Sequence, residues 1–321
     1  MSTVNSSGRR VVRRTAVATV IAVVVAVLVG CGTDDDATPA TEVPDPPPTT
    51  VPTTTASTTT AAPPDTLPTT TAGTTPDTPP PAAAAVVRAY FHRHDEVIGP
   101  VARPVTGDPV ATSRAALEAL LAGPSDAERA IGFGSEIPAG TRLLGVRIDG
   151  GVSYVDLTAE FESGGGSSSM AMRLLQLVYT ATQFDSVDAV RLLLDGVEVD
   201  IFSGEGLMVD HPLTRAEFDF DPQVPLILVE GPLPFETVRG DVRVHGTANV
   251  FEATVSLRIT AADGEVLFDG FTTALCGSGC RGEFDVTIPV DVAGAATVTV
   301  FEVSSRDGSE INAVEIPVTR S

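Results

Sequence analysis

Lysine and tryptophan are absent from this 321-residue chain, and histidine (4), cysteine (3) and tyrosine (3) are scarce. Without lysine a Gly-x-x-x-x-Gly-Lys phosphate loop is impossible. There is likewise no Gly-x-Ser-x-Gly elbow and no pair of histidines at helical spacing. A nucleophile with its base and orienting group is therefore not legible. Arginine supplies all 20 strong bases against 42 Asp and Glu, for a formal net charge of −22. A chain this acidic repels nucleic acid. It also repels bare anionic lipid, so contact with a membrane needs something other than a basic patch. Long apolar runs are missing except near the start, where Thr15 to Gly30 is uncharged but too short to cross a hydrocarbon layer of about 30 Å comfortably.

What is present begins with that run. Arg9, Arg10, Arg13 and Arg14 form a cationic head before it, and Leu28-Val29-Gly30-Cys31 closes it. Such an order reads as a cleaved export signal. The closing tetrad resembles a bacterial lipobox. That resemblance implies that residues 1–30 are a lipoprotein signal peptide, that the Cys31 sulfur receives diacylglycerol, and that the new amino terminus is acylated in turn. Each buried methylene contributes about 0.8 kcal/mol, so several acyl chains hold durably where one holds only reversibly. The expected location is the cell membrane, lipid-anchored at its extracytoplasmic face.

From Thr33 to about Pro81 the chain is almost entirely Thr, Pro, Ala and Asp. Such a segment cannot bury enough apolar surface to offset its ordering entropy, so residues 31–84 read as a disordered stalk. At about 3.1 Å per residue in polyproline II, its roughly fifty residues reach on the order of 150 Å if stiff. Threonine beside proline also suits O-glycosylation; a plain tether is the alternative.

Past the stalk, Val86 to Phe91 reads as a strand. A helix capped by Asp108, with Pro109 in its first turn, runs through Ala115–Leu121 to Gly123-Pro124. Leu144, Val146 and Ile148 alternate, Asp149-Gly150-Gly151 turns, and Val155, Leu157, Ala159 and Phe161 alternate back, predicting a hairpin with one buried face. Ser167 to Ser169 offer a cap for a helix with Met170, Leu174 and Val178, running to about Gln183. Val190, Leu192 and Leu194 then form a strand whose partner, after Asp195-Gly196, carries Val197, Val199 and Ile201. The sum predicts an α+β layer over residues 85–220, with helices packed on a small sheet.

Three of these stretches share a family pattern: Pro138-Ala139-Gly140-Thr141-x-Leu143, Val146-x-Ile148-Asp149-Gly150-Gly151-Val152-x-Tyr154-Val155-Asp156-Leu157-Thr158, and Gln176-Leu177-Val178-Tyr179-Thr180-Ala181-Thr182-Gln183-Phe184. With Val187-Asp188-Ala189-Val190 and Asp195-Gly196, they resemble the GerMN domain of sporulation and germination proteins. The pieces themselves read as architecture, with Asp156 and Thr158 pointing to solvent or capping an edge. Residues 221–321 change texture to short alternating strands separated by Gly, Asp and Asn, about seven in number, the pattern of a β-sandwich. Ile227-x-Val229-x-Gly231-Pro232, Gly240-x-Val242-x-Val244-x-Gly246-x-Ala248-Asn249-Val250-Phe251-Glu252-Ala253 and Val300-Phe301-Glu302-Val303-Ser304-Ser305-Arg306-Asp307-Gly308 resemble the immunoglobulin-like Gmad2 domain. The absence of tryptophan sets this sandwich apart from antibody domains, as does a cysteine pair too close in sequence to bridge two sheets.

That pair is Cys276-Gly277-Ser278-Gly279-Cys280. In an exported chain an even pair implies a disulfide, and Gly-Ser-Gly can make the turn. Other polar groupings are weaker. His92 and His94 could share a strand face and, with a distant carboxylate or nearby Asp95, chelate a metal, but two ligands do not make a site; His211 and His245 are unremarkable. Asp195, Glu198 and Asp200 lie on a predicted hairpin. Glu217, Asp219 and Asp221 alternate with Phe218 and Phe220, suggesting an interdomain joint with one apolar face rather than a calcium loop. No cofactor, metal or catalytic residue is expected. The reading is a noncatalytic envelope lipoprotein, allied by resemblance to sporulation, germination or envelope homeostasis, that binds envelope proteins or peptidoglycan. The alternative is a cell-wall hydrolase or hydrolase activator.

Overall fold

The computed structural model describes residues 84–94, 97–106, 109–290 and 293–321, all within one compact unit. The arginine head, Cys31, the Thr/Pro stretch, Asp95 and Asp108 lie outside them. Among the described residues no helix is long and apolar enough to cross a membrane.

Strands β1 (Ala84–Arg93) and β2 (Val97–Thr106) form a long antiparallel hairpin, in register from Ala84 opposite Thr106 to Arg93 opposite Val97. Helix α1 (Pro109–Ala122) ends where Gly123 turns to φ 78°, a left-handed backbone that suits glycine. Helix α2 (Asp126–Ala130) starts from a capping box. The Glu128 N–H donates to the Ser125 hydroxyl at 3.3 Å, and the Ser125 N–H donates to the Glu128 carboxylate at 2.7 Å. Strand β3 (Phe133–Gly134) completes a sheet of order β2-β1-β3.

The second sheet has order β4-β5-β6-β7, with β4 (Leu143–Asp149) and β5 (Val152–Leu157) as a hairpin. Helix α3 (Ser167–Ala181) is the crossover that sets β6 (Ala189–Leu194) parallel to β5, and β7 (Val197–Glu198) turns back on β6. Strands β8 (Ile201–Phe202) and β9 (Leu207–Met208) pair separately.

The class is α+β, and α3 is its centre. Met170, Leu174, Leu177 and Val178 pack on Val155, Leu157, Val190 and Leu192 of the second sheet. Met172, Leu175 and Tyr179 pack toward Tyr90 and Ile98 of the first. The helix is thus covered from both sides rather than lying on one face of a single sheet.

Local details depart from the pattern reading for identifiable reasons. A register shift between Leu143 and Gly145 turns Leu143 toward the core and leaves Leu144 exposed. The strand ends at Leu157, and a 3-10 turn over Ala159–Glu162 carries Phe161 inward. Gly166, not a serine, precedes α3 at the cap position; the Ser169 hydroxyl instead donates to the Glu136 carboxylate at 2.6 Å. The helix stops at Ala181 because Thr182 leaves helical geometry. Ile201 pairs with Met208 rather than extending β7.

The remaining strands are β10 (Ile227–Gly231), β11 (Thr237–Val238), β12 (Val242–Ala248), β13 (Thr254–Ala261), β14 (Val266–Thr273), β15 (Gly282–Ile288), β16 (Gly294–Val303) and β17 (Glu310–Arg320). They form two sheets, β10-β12-β15 and β11-β17-β16-β13-β14. Alternate residues fill the space between them: Ile227 and Val229, Val242 and Val244, Val255, Leu257 and Ile259, Phe284 and Ile288, Val298 and Val300, Ile316 and Val318. Gly246 permits the close approach of β10, since a Cβ there would fall 2.1 Å from the Leu228 carbonyl oxygen.

Candidate interdomain binding site

The alternation that builds β10 also joins the two domains. Ile227 and Val229 point into the sandwich, so Leu228 and Glu230 point out of it, toward the α+β domain. Leu228 and Val224 complete a buried cluster with Tyr90, Ile98, Met172, Leu175 and Tyr179. Phe218 packs against this cluster and against the core around α3. Phe220 does not share its face: a 3-10 turn over Arg215–Phe218 replaces strand geometry, and Phe220 is 73% exposed.

Glu230 is the polar centre of the joint, with its side chain only 13% exposed. Its carboxylate accepts from the Tyr90 hydroxyl and, at 2.9 Å, from Arg215. Arg88 lies 3.3 Å from the same carboxylate and donates to the Glu230 carbonyl at 2.9 Å. Arg215 also donates to the Thr182 hydroxyl and the Tyr179 carbonyl, and its guanidinium stacks 4.6 Å from the Tyr179 ring centroid. Burial pushes the Tyr90 hydroxyl far above its ordinary range, with the Glu230 charge adding to it, and burial raises Tyr179 to about 12. Both phenols are neutral at physiological pH, and that of Tyr90 donates to Glu230. Arg281 supplies a second tie, donating to the Pro225 carbonyl at 3.0 Å and lying 3.6 Å from Asp219.

Two openings flank this joint. A polar pocket of about 390 Å³ is lined by Arg88, Arg215, Glu230, Arg243, His245 and Asp285 among others. Burial, followed by the charges of Arg88 and Arg243, lowers the His245 pKa, so this imidazole is neutral near pH 7. Arg243 is committed to Asp285. A larger groove of about 630 Å³ has a predominantly apolar lining from both domains, including Ile98, Pro100, Phe133, Phe220, Leu226, Pro232 and Val314.

The other candidate residues separate. His94 leaves strand geometry at φ 54°, where its N–H donates to the Gly132 carbonyl at 2.7 Å. His92 is buried, 3.9 Å from Glu136. Glu198 and Asp200 both pair with the buried Arg191, at 3.0 and 2.8 Å, and Asp195 occupies the turn at φ 47°. Glu217 closes a capping box with Thr214 and accepts from His211, whereas Asp221 accepts from the Gln223 N–H. Among the described residues no group of three His, Cys, Asp or Glu could hold a metal. Asp156 caps the neighbouring hairpin by accepting from the Gly196 N–H at 2.9 Å. Thr158 is buried and accepts from the Arg142 N–H. Cys276 and Cys280 stand at disulfide distance, with Cα atoms 5.8 Å apart.

His211 is more than unremarkable. Its two ring nitrogens meet Asp210 at 2.9 Å and Glu217 at 2.7 Å, and those hydrogen bonds, Asp210 first, raise its pKa. Sequence reasoning also missed Arg88, Tyr90, Arg215 and Glu230, which form no local motif. The available signal was Glu230 itself, a lone charge set out of phase with Ile227 and Val229 in an otherwise apolar strand.

An α+β domain built round one buried helix and followed by an immunoglobulin-like sandwich defines the class of the molecule. Residues 88–200 match the family model Germane, described as sporulation and spore germination; residues 226–309 match Gmad2, described as the immunoglobulin-like domain of bacterial spore germination. Over these two stretches, in this order, the chain is similar to a GerMN-type domain and to a Gmad2 domain, both described for spore germination. Among solved structures it is similar to the tandem GerMN domains of the sporulation protein GerM from Bacillus subtilis, at 14% identity over 64% of this chain and 62% of that one, TM-score 0.36. It is also similar to the first GerMN domain of that protein, at 21% identity over 41% of this chain and 98% of that one, TM-score 0.34. No curated protein is a significant match.

Proposed function

We propose that this chain is a lipid-anchored, noncatalytic, germination-associated binding protein that displays its two domains outside the cell membrane to engage another envelope protein or peptidoglycan. The observation that carries the reading is the interdomain groove: a large, predominantly apolar recess whose lining has no serine, threonine, cysteine or tyrosine to act as a nucleophile. Anchoring rests on Leu28-Val29-Gly30-Cys31 and on the acidity that leaves an acyl chain as the means of membrane contact. The test compares the full chain with Cys31→Ala. Wild type fractionates with membranes in processed form, Cys31→Ala is unprocessed at that cysteine and loses its acyl-dependent retention, and neither releases soluble fragments from peptidoglycan. Unchanged processing and fractionation of Cys31→Ala contradicts the anchor, and sustained release of wall fragments returns the hydrolase alternative.

A further inference from the structure

The apolar groove lies where three sheet edges meet. Strands β2, β10 and β17 each contribute lining residues, through Ile98, Leu228 and Val314 among others. β2 and β10 are the outermost strands of their sheets. β17 pairs along its length with β16 but on its other side meets β11 only at Thr319 and Arg320, with the Phe235 N–H reaching the Pro317 carbonyl. Among the described residues, the outer edge of β17 from Glu310 to Ile316 carries no ladder.

An unladdered edge presents free N–H and C=O groups and is normally blunted by proline or charge. β2 is blunted by Pro100 and Pro104, and β10 runs into Pro232. The segment 310–316 has no proline; its charges are Glu310, which is paired with Arg258, and Glu315, and Asn312 turns to φ 54° at a register shift against β16, so the extended edge is Ala313–Ile316. Two large apolar side chains that line the groove stand exposed, Phe220 and Leu226. Exposed apolar residues gathered at a groove mark an interaction surface, and an open strand edge selects an extended partner.

Charge narrows the occupant. Asp219, Asp221 and Glu315 stand on the groove against Arg93 and His94, and the whole chain carries −22. A second copy brings the same large negative charge. The chain's own Thr/Pro segment contains Asp and Glu and no arginine between Cys31 and Val87. Both are disfavoured against a basic partner, which this field attracts.

Resting on the noncatalytic binding reading above, we propose that the groove takes an extended segment of another protein, alternating in apolar residues and flanked by basic ones, which adds as a strand to β17 along Ala313–Ile316. It continues the row that β11 begins, seats alternate side chains in the groove, and meets Asp221 and Glu315 with its cationic ends.

The experiment uses the full chain in detergent micelles and three labelled peptides: alternating Val and Thr flanked by lysines, the same core flanked by glutamates, and residues 44–81 of this chain. The expected result is binding of the lysine-flanked peptide roughly tenfold tighter than the glutamate-flanked one, with amide exchange slowed at residues 313–316. Phe220→Ser, at an exposed position that spares the fold, weakens it several-fold, and Glu315→Gln narrows the gap between the two flanks. Equal binding of both flanks, protection elsewhere, occupation by the 44–81 peptide, or self-association that protects 313–316 overturns the inference. Loss of peptide binding while Cys31-dependent membrane retention persists sinks this inference alone. Release of wall fragments sinks the parent reading whether or not the peptide binds.

Discussion

In the α+β domain the most enclosed element, α3, carries Arg173, Gln176 and Thr180 into the interior, whereas the facing sheets of the sandwich pack apolar side chains, with Ser256, Glu302 and Arg320 as buried polar residues. Arg173 donates to the carbonyls of Glu136, Phe161, Ser163 and Gly164 at 2.8–3.0 Å. Gln176 accepts from the Glu136 N–H and donates to the Tyr90 carbonyl, and Thr180 accepts from the Tyr90 N–H. One helix thus satisfies backbone groups of loops and a strand that have no ladder of their own at those points. The sandwich satisfies most of its backbone by pairing, and uses side chains at its margins, Glu302 accepting from the Phe251 N–H and Arg320 donating to the Val290 and Gly240 carbonyls. The first domain places specific polar partners on its central helix, whereas the second fills its centre by shape.

The largest expected effect tests that contrast. Arg173→Ala strips four carbonyls of their donor, that of buried Phe161 among them, and opens a cavity in the core, at a cost of about 4 kcal/mol; Arg173→Met recovers little of it despite similar length. Leu257→Ala in the sandwich costs about 3 kcal/mol through its cavity, and Leu257→Met restores all but about 1 kcal/mol. Urea unfolding of the four variants measures this; equal rescue by methionine at both positions removes the distinction. Next in size, Cys276→Ser with Cys280→Ser lowers stability by about 2 kcal/mol if the pair is bonded, by the loop-entropy estimate for so short a closure. A reductant has that effect on wild type alone, and no difference between oxidised and reduced wild type contradicts the bond.

The smallest effect depends on pH. His211 has a raised folded pKa through Asp210 and Glu217, so its contribution is complete below the unfolded value near 6.5 and fades as pH rises through the folded value. Asp210 is lowered by His211; at Glu217 burial raises the pKa, but the His211 and Thr214 hydrogen bonds outweigh it. Those two carboxylates contribute above their unfolded values and lose that stability as pH falls through their folded values. Melting temperature compared across neutral pH therefore falls for wild type relative to His211→Gln as pH rises; parallel curves contradict the assignment.

The same contrast governs how much could be read beforehand. Period-two alternation is legible in the sandwich because burial between two sheets imposes that period directly: Val255, Leu257 and Ile259 alternate in sequence and face inward. The Gly and Asp that separate the alternating runs turn the chain at Asp263-Gly264 and Asp307-Gly308, with Gly264 and Gly308 at φ 93° and 75°. In the α+β domain fourfold spacing found the α3 face toward one sheet. It could not reveal the second sheet, whose contacts come from Tyr90 and Ile98, far away in sequence. The joint was legible in the alternation of Glu217, Asp219 and Asp221 with Phe218 and Phe220 and in the composition change at Phe220-Asp221-Pro222, although only Phe218 packs inward. Its partners, Arg88, Tyr90, Arg215 and Glu230, are brought together by tertiary packing and by no local spacing.

Everything proposed for the groove requires the two domains to move as one body about Glu230. Differential scanning calorimetry of the wild-type chain and Glu230→Ala tests this directly. Removing the carboxylate leaves Arg215 and Arg88 without their shared partner, at a cost of about 3 kcal/mol. The account predicts one cooperative transition for wild type and two resolved transitions for Glu230→Ala. Identical profiles for the two proteins, or two transitions already present in wild type, contradict it.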